Sequence, residues 1–239
     1  MLTYDNPISV NGKHASSAGM TATTMTNMNP NPKPINATMT PVTSNNTIAK
    51  TNGKTAPRHH HIWLVTGPAG CGKTTVAQHL SKSLNLPYIE GDEFHTKANV
   101  EKMANGIPLT DIDRWDWLTA LREESLRQLA SGAEGVVLTC SALKRKYRDV
   151  IRVAPYYSHD VVLHFIYLHA PESVLLERVG ARQGHYMGAN MVHSQFSILE
   201  PPTAEETDVI SIDVSRSMDD ILRETLDKVL QKVDETTSS

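Results

Sequence analysis

A chain of 239 residues with 26 acidic and 23 basic side chains has no charge excess to draw it to nucleic acid or to an anionic membrane. Hydrophobic residues make up 39% of it, yet none of its apolar runs approaches the roughly 18 residues a membrane-spanning helix needs. Two cysteines, Cys71 and Cys140, are too few for a secreted disulfide framework, so a reducing, cytoplasmic setting is expected, with no nucleic-acid or membrane partner.

From Met1 to about Pro57 the chain is dominated by Thr, Asn, Ser, Pro, Met and Ala. Such a stretch buries too little apolar surface to offset the entropy of ordering, and residues 1–57 are expected to be disordered. A mitochondrial presequence is the rival reading, since the tail is hydroxyl-rich and acid-poor; its sparse basic residues set no amphipathic period. Residues 58–235 are expected to form one α/β domain with a single core, and residues 236–239 a disordered end. The run His59, His60 and His61 lacks a fourth ligand at metal spacing and reads as a solvated strand entrance.

Ile62 to Thr66 is a short apolar run stopping at glycine, and Thr74 to Leu84 then carries Val76, Ala77, Leu80 and Leu84 at helical spacing. Between them, Gly67 to Thr74 fits G-x-x-x-x-G-K-[ST] completely, in the strand–loop–helix context that the motif requires. ATP is expected on Gly67, Pro68, Ala69, Gly70, Cys71, Gly72, Lys73, Thr74 and Thr75. Backbone N–H groups and the helix N-terminus would cradle the phosphates, Lys73 would reach the β and γ phosphates, and Thr74 would offer its hydroxyl to Mg²⁺. Cys71 lies near a helix N-terminus, where a thiolate is favoured, but the preferred reading is a small residue filling a loop position whose backbone does the binding.

Tyr88 and Ile89 form a second strand, from whose carboxyl end Glu90, Asp92 and His95 emerge. Ligands of open α/β sheets bind there. Asp92 is a candidate to take the acceptor's proton or to cap the next helix, and Glu90 to hold a water of the metal shell. An insertion follows, with helical pieces at Val100 to Ala104 and Trp117 to Leu129. In it Arg114 is a candidate grip for an anionic substrate group, and Asp113 suits a helix N-cap.

After a third strand, Val136 to Thr139, come Lys144, Arg145, Lys146 and Arg148 in the first turns of a helix running to Val153. Cations there oppose the macrodipole, which calls for an anion nearby; Lys144 and Arg148 share a face by their i, i+4 spacing. Val161 to Leu168 is the fourth strand, Pro171 to Arg182 a helix, Val209 to Val214 the fifth strand, and Met218 to Val233 the last helix. The alternation predicts about five parallel strands with helices on both faces, a three-layer α/β/α domain. A second insertion, Arg182 to Pro202, supplies Arg182, His185 and Gln195 between glycines. It reads as a mobile lid whose arginine stabilises the transferring phosphoryl, or as a surface loop.

Several long segments carry a closer resemblance: HHIWLVTGPAGCGKTT, GDEFH, NVEKMANGIPLTDIDRWDWL, CSALKRKYRDVIR and GHYMGANMVHSQFSILEPP. From His59 to about Val233 the chain resembles the gluconokinases, relatives of the shikimate and nucleoside-monophosphate kinases. The resemblance implies a P-loop kinase fold with a mobile lid, Mg²⁺-dependent transfer from ATP to the 6-hydroxyl of D-gluconate, and commonly a homodimer. It also implies catalytic roles for Lys73, Asp92 and Arg182, and substrate contacts among Asp92, His95, Arg114, Lys144, Arg148, His185 and Gln195. Cation placement by itself leaves kinases for other small acids or for nucleotides open, and a P-loop alone leaves open a binding switch without turnover.

Overall fold

The computed structural model describes residues 59–181 and 189–238. The expected disordered tail and the lid residues Arg182 and His185 lie outside them. Five parallel strands form one sheet in the order β2-β3-β1-β4-β5. They are β1 (His60–Thr66), β2 (Tyr88–Ile89), β3 (Gly135–Thr139), β4 (Val161–His169) and β5 (Val209–Asp213). Helices connect them: α1 (Lys73–Leu84), α2 (Lys97–Ala104), α3 (Ile112–Ala130), α4 (Arg145–Arg152), α5 (Ala154–Tyr157), α6 (Glu172–Gly180), α7 (Ala189–Ile198) and α8 (Met218–Thr237).

Successive strand residues face opposite sides, and this divides the core in two. Trp63, Val65, Val137, Ile166, Leu168, Ile210 and Ile212 pack with Val76 and Leu80 of α1, Leu175 of α6 and Ile221 of α8. On the other face Ile62, Leu64, Val136, Leu138, Leu163 and Phe165 meet Trp117, Leu118 and Leu121 of α3 and Tyr147 and Ile151 of α4. Burial on both faces is why the central strands read as unbroken apolar runs.

Local chemistry sets most helix ends. Thr96 and Ser217 cap α2 and α8 by accepting the amides of Asn99 and Asp220. Asn85 stops α1 in the left-handed conformation, φ 53°.

Five expectations change. Helix α8 continues to Thr237 with Ser238 as its C-cap, so residues 236–238, expected in a disordered end, belong to the last helix and its cap. Helix α3 begins at Ile112, five residues before the expected Trp117. Asp113 is not its cap but lies in its first turn, reaching back to the Thr110 amide at 2.9 Å and to Lys102. The second insertion contains a helix, α7, whose Met191 and Val192 are buried. His61 is no solvated entrance: it is buried and stacked on Trp63 at 5.3 Å between ring centroids. Among the described residues no helix is long and apolar enough to cross a membrane.

Candidate active site

The phosphate loop springs from the carboxyl end of β1, the central strand. At Gly67, φ is +141° and a Cβ would overlap the carbonyl oxygen of Leu168, so only glycine fits between loop and β4. Gly72 precedes α1 with no side-chain cap, which leaves the first-turn amides of that helix available to an anion. The Lys73 ammonium is folded back on the loop, donating to the carbonyls of Gly67 and Pro68, each at 3.0 Å. Gln195 of α7 accepts the Ala69 amide at 2.7 Å. It therefore sits against the phosphate loop. Cys71 is fully buried and burial raises its thiol pKa against the pull of Lys73, which disfavours the thiolate that redox sensitivity would need.

The wall of the cleft facing the phosphate loop is built at the end of β2. The Glu90 carboxylate receives the hydroxyls of Thr74 at 3.0 Å, of Tyr88 and of Thr139. Burial pushes its pKa up, but the three hydroxyls and the Asp92 backbone amide together outweigh burial, and the net shift is downward. Gly91 lies so close to β3 that a Cβ would overlap the Thr139 carbonyl oxygen. Its amide donates to the Thr139 hydroxyl at 2.9 Å, and its carbonyl accepts the Trp117 indole at 2.7 Å. These bonds fix the chain where Asp92 enters the cleft. Asp92 does not cap α2, since Thr96 does.

His95 stacks on Trp117, centroids 4.1 Å apart. Burial, with the nearby Arg114 charge, pushes its pKa down to about 4, so the imidazole is neutral near pH 7. Arg114 is 9% exposed and donates through Nη1 to the carbonyls of Leu109 and Thr110, with its guanidinium 5.3 Å from the Tyr147 ring centre. One cleft gathers Lys73, Thr74, Thr75, Glu90, Asp92, His95, Arg114 and Gln195, with Ser141 and an apolar wall including Met103, Leu109 and Met191.

Two expected substrate residues are placed elsewhere. Arg148 is buried and gives a two-point contact to Glu206, 2.7 Å on each side, so its charge is taken up within the fold. Lys144 pairs with Asp111 at 3.2 Å, Lys146 with the same carboxylate, and Arg145 with Glu205 at 3.1 Å. The anions that the basic start of α4 calls for are the protein's own. Glu200 completes the set by accepting the Arg145 amide at 2.7 Å. Sequence reasoning missed Tyr88, Thr139 and Glu206; a tyrosine two residues before a carboxylate at a strand end was the available signal for the first.

A parallel sheet with a phosphate loop at the end of its central strand, and carboxylates at the end of the edge strand β2 facing the same cleft, defines a P-loop kinase. A family model described as an AAA domain matches residues 62–199. A probable gluconokinase of Schizosaccharomyces pombe is 46% identical over 190 residues, covering 79% of this chain and 97% of that protein. The thermoresistant gluconokinase of Escherichia coli is 35% identical over 175 residues, 73% of this chain and 97% of its own. The crystal structure of a gluconokinase from Sinorhizobium meliloti superposes with a TM-score of 0.64 at 38% identity, covering 75% of this chain and 96% of that one. The chain belongs to the gluconokinase family.

Proposed function

We propose that residues 58–235 form a kinase domain that transfers the terminal phosphoryl group of ATP to the 6-hydroxyl of D-gluconate, yielding 6-phospho-D-gluconate and ADP for the pentose phosphate route. The observation that carries this reading, beside the family, is that Lys73 and Thr74 share one cleft with Asp92 and Arg114. Phosphate-side and acceptor-side groups thus face the same space.

In the reaction the substrate hydroxyl oxygen forms a bond to the γ phosphorus as the bond to the bridging oxygen of ADP breaks. Asp92 accepts or orients the hydroxyl proton. Lys73, once released from the Gly67 and Pro68 carbonyls, balances phosphate charge. Arg114 is assigned to the gluconate carboxylate, and neutral His95 to a substrate hydroxyl. Gln195 follows the phosphate loop, and Arg182, on the segment between α6 and α7, is assigned to the transferring phosphoryl.

The donors present fit Mg²⁺. It takes few protein ligands beside phosphates and water, and Thr74 brings a hydroxyl while Glu90 brings an ionised carboxylate. Bound there, the ion would neutralise charge on the β and γ phosphates. Two free, buried cysteines support a cytoplasmic setting.

The test is an assay with ATP, Mg²⁺ and gluconate, 5-ketogluconate, shikimate, glycerate or AMP, reading ADP and 6-phosphogluconate separately. ADP release with gluconate matched by 6-phosphogluconate is expected; ADP release with another acceptor, or with none, overturns the substrate.

A further inference from the structure

Tyr88 and Thr139 have no place in the phosphate loop or among the acceptor groups, yet both act on one carboxylate. Glu90 Oε2 takes the hydroxyls of Thr74 and Tyr88, and Oε1 takes that of Thr139. An ionised carboxylate has no proton to give, so in each of these bonds the hydroxyl is the donor. Every hydroxyl has a single proton. Thr74 therefore directs its proton at Glu90 and keeps both lone pairs for something else, and an oxygen so arranged can act only as acceptor or ligand.

The carboxylate is itself held from two sides. Tyr88 and Glu90 are two residues apart and so project from the same face of the chain, with the phenol reaching Oε2. Thr139, at the end of the neighbouring strand, accepts the Gly91 amide at 2.9 Å and gives its proton to Oε1. With both carboxylate oxygens occupied, rotation of Glu90 would break bonds on each side. The Tyr88 ring packs against the apolar cluster beneath α1 and does not line the cleft.

We propose that Tyr88 and Thr139 are positioning residues for the metal–nucleotide complex: they lock Glu90 so that it takes the Thr74 proton and turns the Thr74 lone pairs toward the cation. This rests on the assignment of Thr74 and Glu90 to the metal side of the cleft. Partners of this kind, one step removed from the ligand, typically change metal affinity by about 10- to 100-fold.

The experiment is calorimetric titration of the full chain with ADP, with and without Mg²⁺, for wild type and Tyr88→Phe, the latter keeping the ring and removing only the hydroxyl. In Tyr88→Phe the strengthening of ADP binding by Mg²⁺ should shrink by about tenfold, while Mg²⁺-free ADP affinity stays within about twofold of wild type. Thr139→Ser should behave as wild type and Thr139→Val as Tyr88→Phe. Equal strengthening by Mg²⁺ in Tyr88→Phe and wild type overturns the proposal. So does an equal loss with and without Mg²⁺, which a merely structural role would give. Thr74→Ala separates the two readings. If it abolishes the Mg²⁺ effect while Tyr88→Phe does not, the positioning role alone falls; if neither variant moves it, the metal assignment of Thr74 falls too.

Discussion

Arg148 and Glu206 meet in a buried two-point pair, Nε to Oε2 and Nη2 to Oε1, each 2.7 Å, with both side chains 2% exposed. Arg152 donates to the same Glu206 at 2.6 Å and clasps Asp208 at 2.8 and 2.9 Å. The cluster fastens α4 to the segment that leads into β5. Its members are 58 residues apart in the chain at the central pair, so it closes a long loop of the fold.

Arg148→Ala should therefore lower unfolding free energy by about 3–5 kcal/mol, because it leaves a buried carboxylate without its partner. Urea denaturation measures this. The KM for gluconate of the folded fraction should be unchanged, whereas a substrate contact would raise it. Glu206 adds a pH dependence. Arg148 foremost, and Arg152 after it, hold its carboxyl down to about 2 against the opposing effect of burial. A depressed folded pKa contributes stability that is full above the ordinary value of 4.5 and is lost as pH falls toward about 2.

Buried histidines give a second acid-sensitive window. His61 and His164 face each other at 3.4 Å, and His164 stacks on Trp63 at 4.4 Å. Burial pushes His164 down to about 4, helped by His61 and Lys232 and opposed by Asp208 and Glu235. His61 is lowered by burial, then by His59 and His60. The unfolded imidazoles take protons from pH 6.5 downward that the folded ones refuse, so stability falls between 6.5 and about 4. His164→Phe keeps a ring on Trp63 and should reduce that slope by up to about 1.4 kcal/mol per pH unit, read from urea midpoints across the window.

Asp92→Asn should lower kcat by about 10²- to 10⁴-fold, the usual span for loss of a positioned proton acceptor, with ATP affinity held. Stopped turnover with intact nucleotide binding is the expected pair of results. Unchanged turnover would remove Asp92 from the chemistry.

Gly91→Ala should cost about 1–3 kcal/mol of stability, the range for overpacking, because the added methyl meets the Thr139 carbonyl. The chain must then shift where it carries Glu90 and Asp92. A fall in kcat larger than the stability loss explains is expected, measured at a temperature where the variant is folded.

The strand alternation, the phosphate loop and the cleft positions of Asp92, Glu90 and Arg114 were legible because each depends on short-range pattern: apolar runs, glycine spacing, a carboxylate at a strand end. The place of Arg148 was not. Its i, i+4 relation to Lys144 suggested a shared face toward a ligand, and nothing local announces that Glu206 would reach it. His61 was misread for a similar reason, since its burial depends on His164 of β4, a strand brought alongside only by the fold. Helix α7 hid behind the glycines that precede it, its apolar residues Met191, Val192, Phe196 and Ile198 interleaved with Asn, His, Ser and Gln.

Strand β2 joins the sheet through only two residues, Tyr88 opposite Val137 and Ile89 opposite Leu138. By ladder bonds alone, an edge segment this short would be among the first to open and let its amides trade hydrogen for deuterium. The Gly91 amide is instead covered by the Thr139 hydroxyl, and its carbonyl is tied to Trp117. Side chains of β3 and α3 thus supply the protection that the sheet does not. The isotope exchange rate at Gly91 becomes a gauge of how firmly the segment carrying Glu90 and Asp92 is held, readable without substrate.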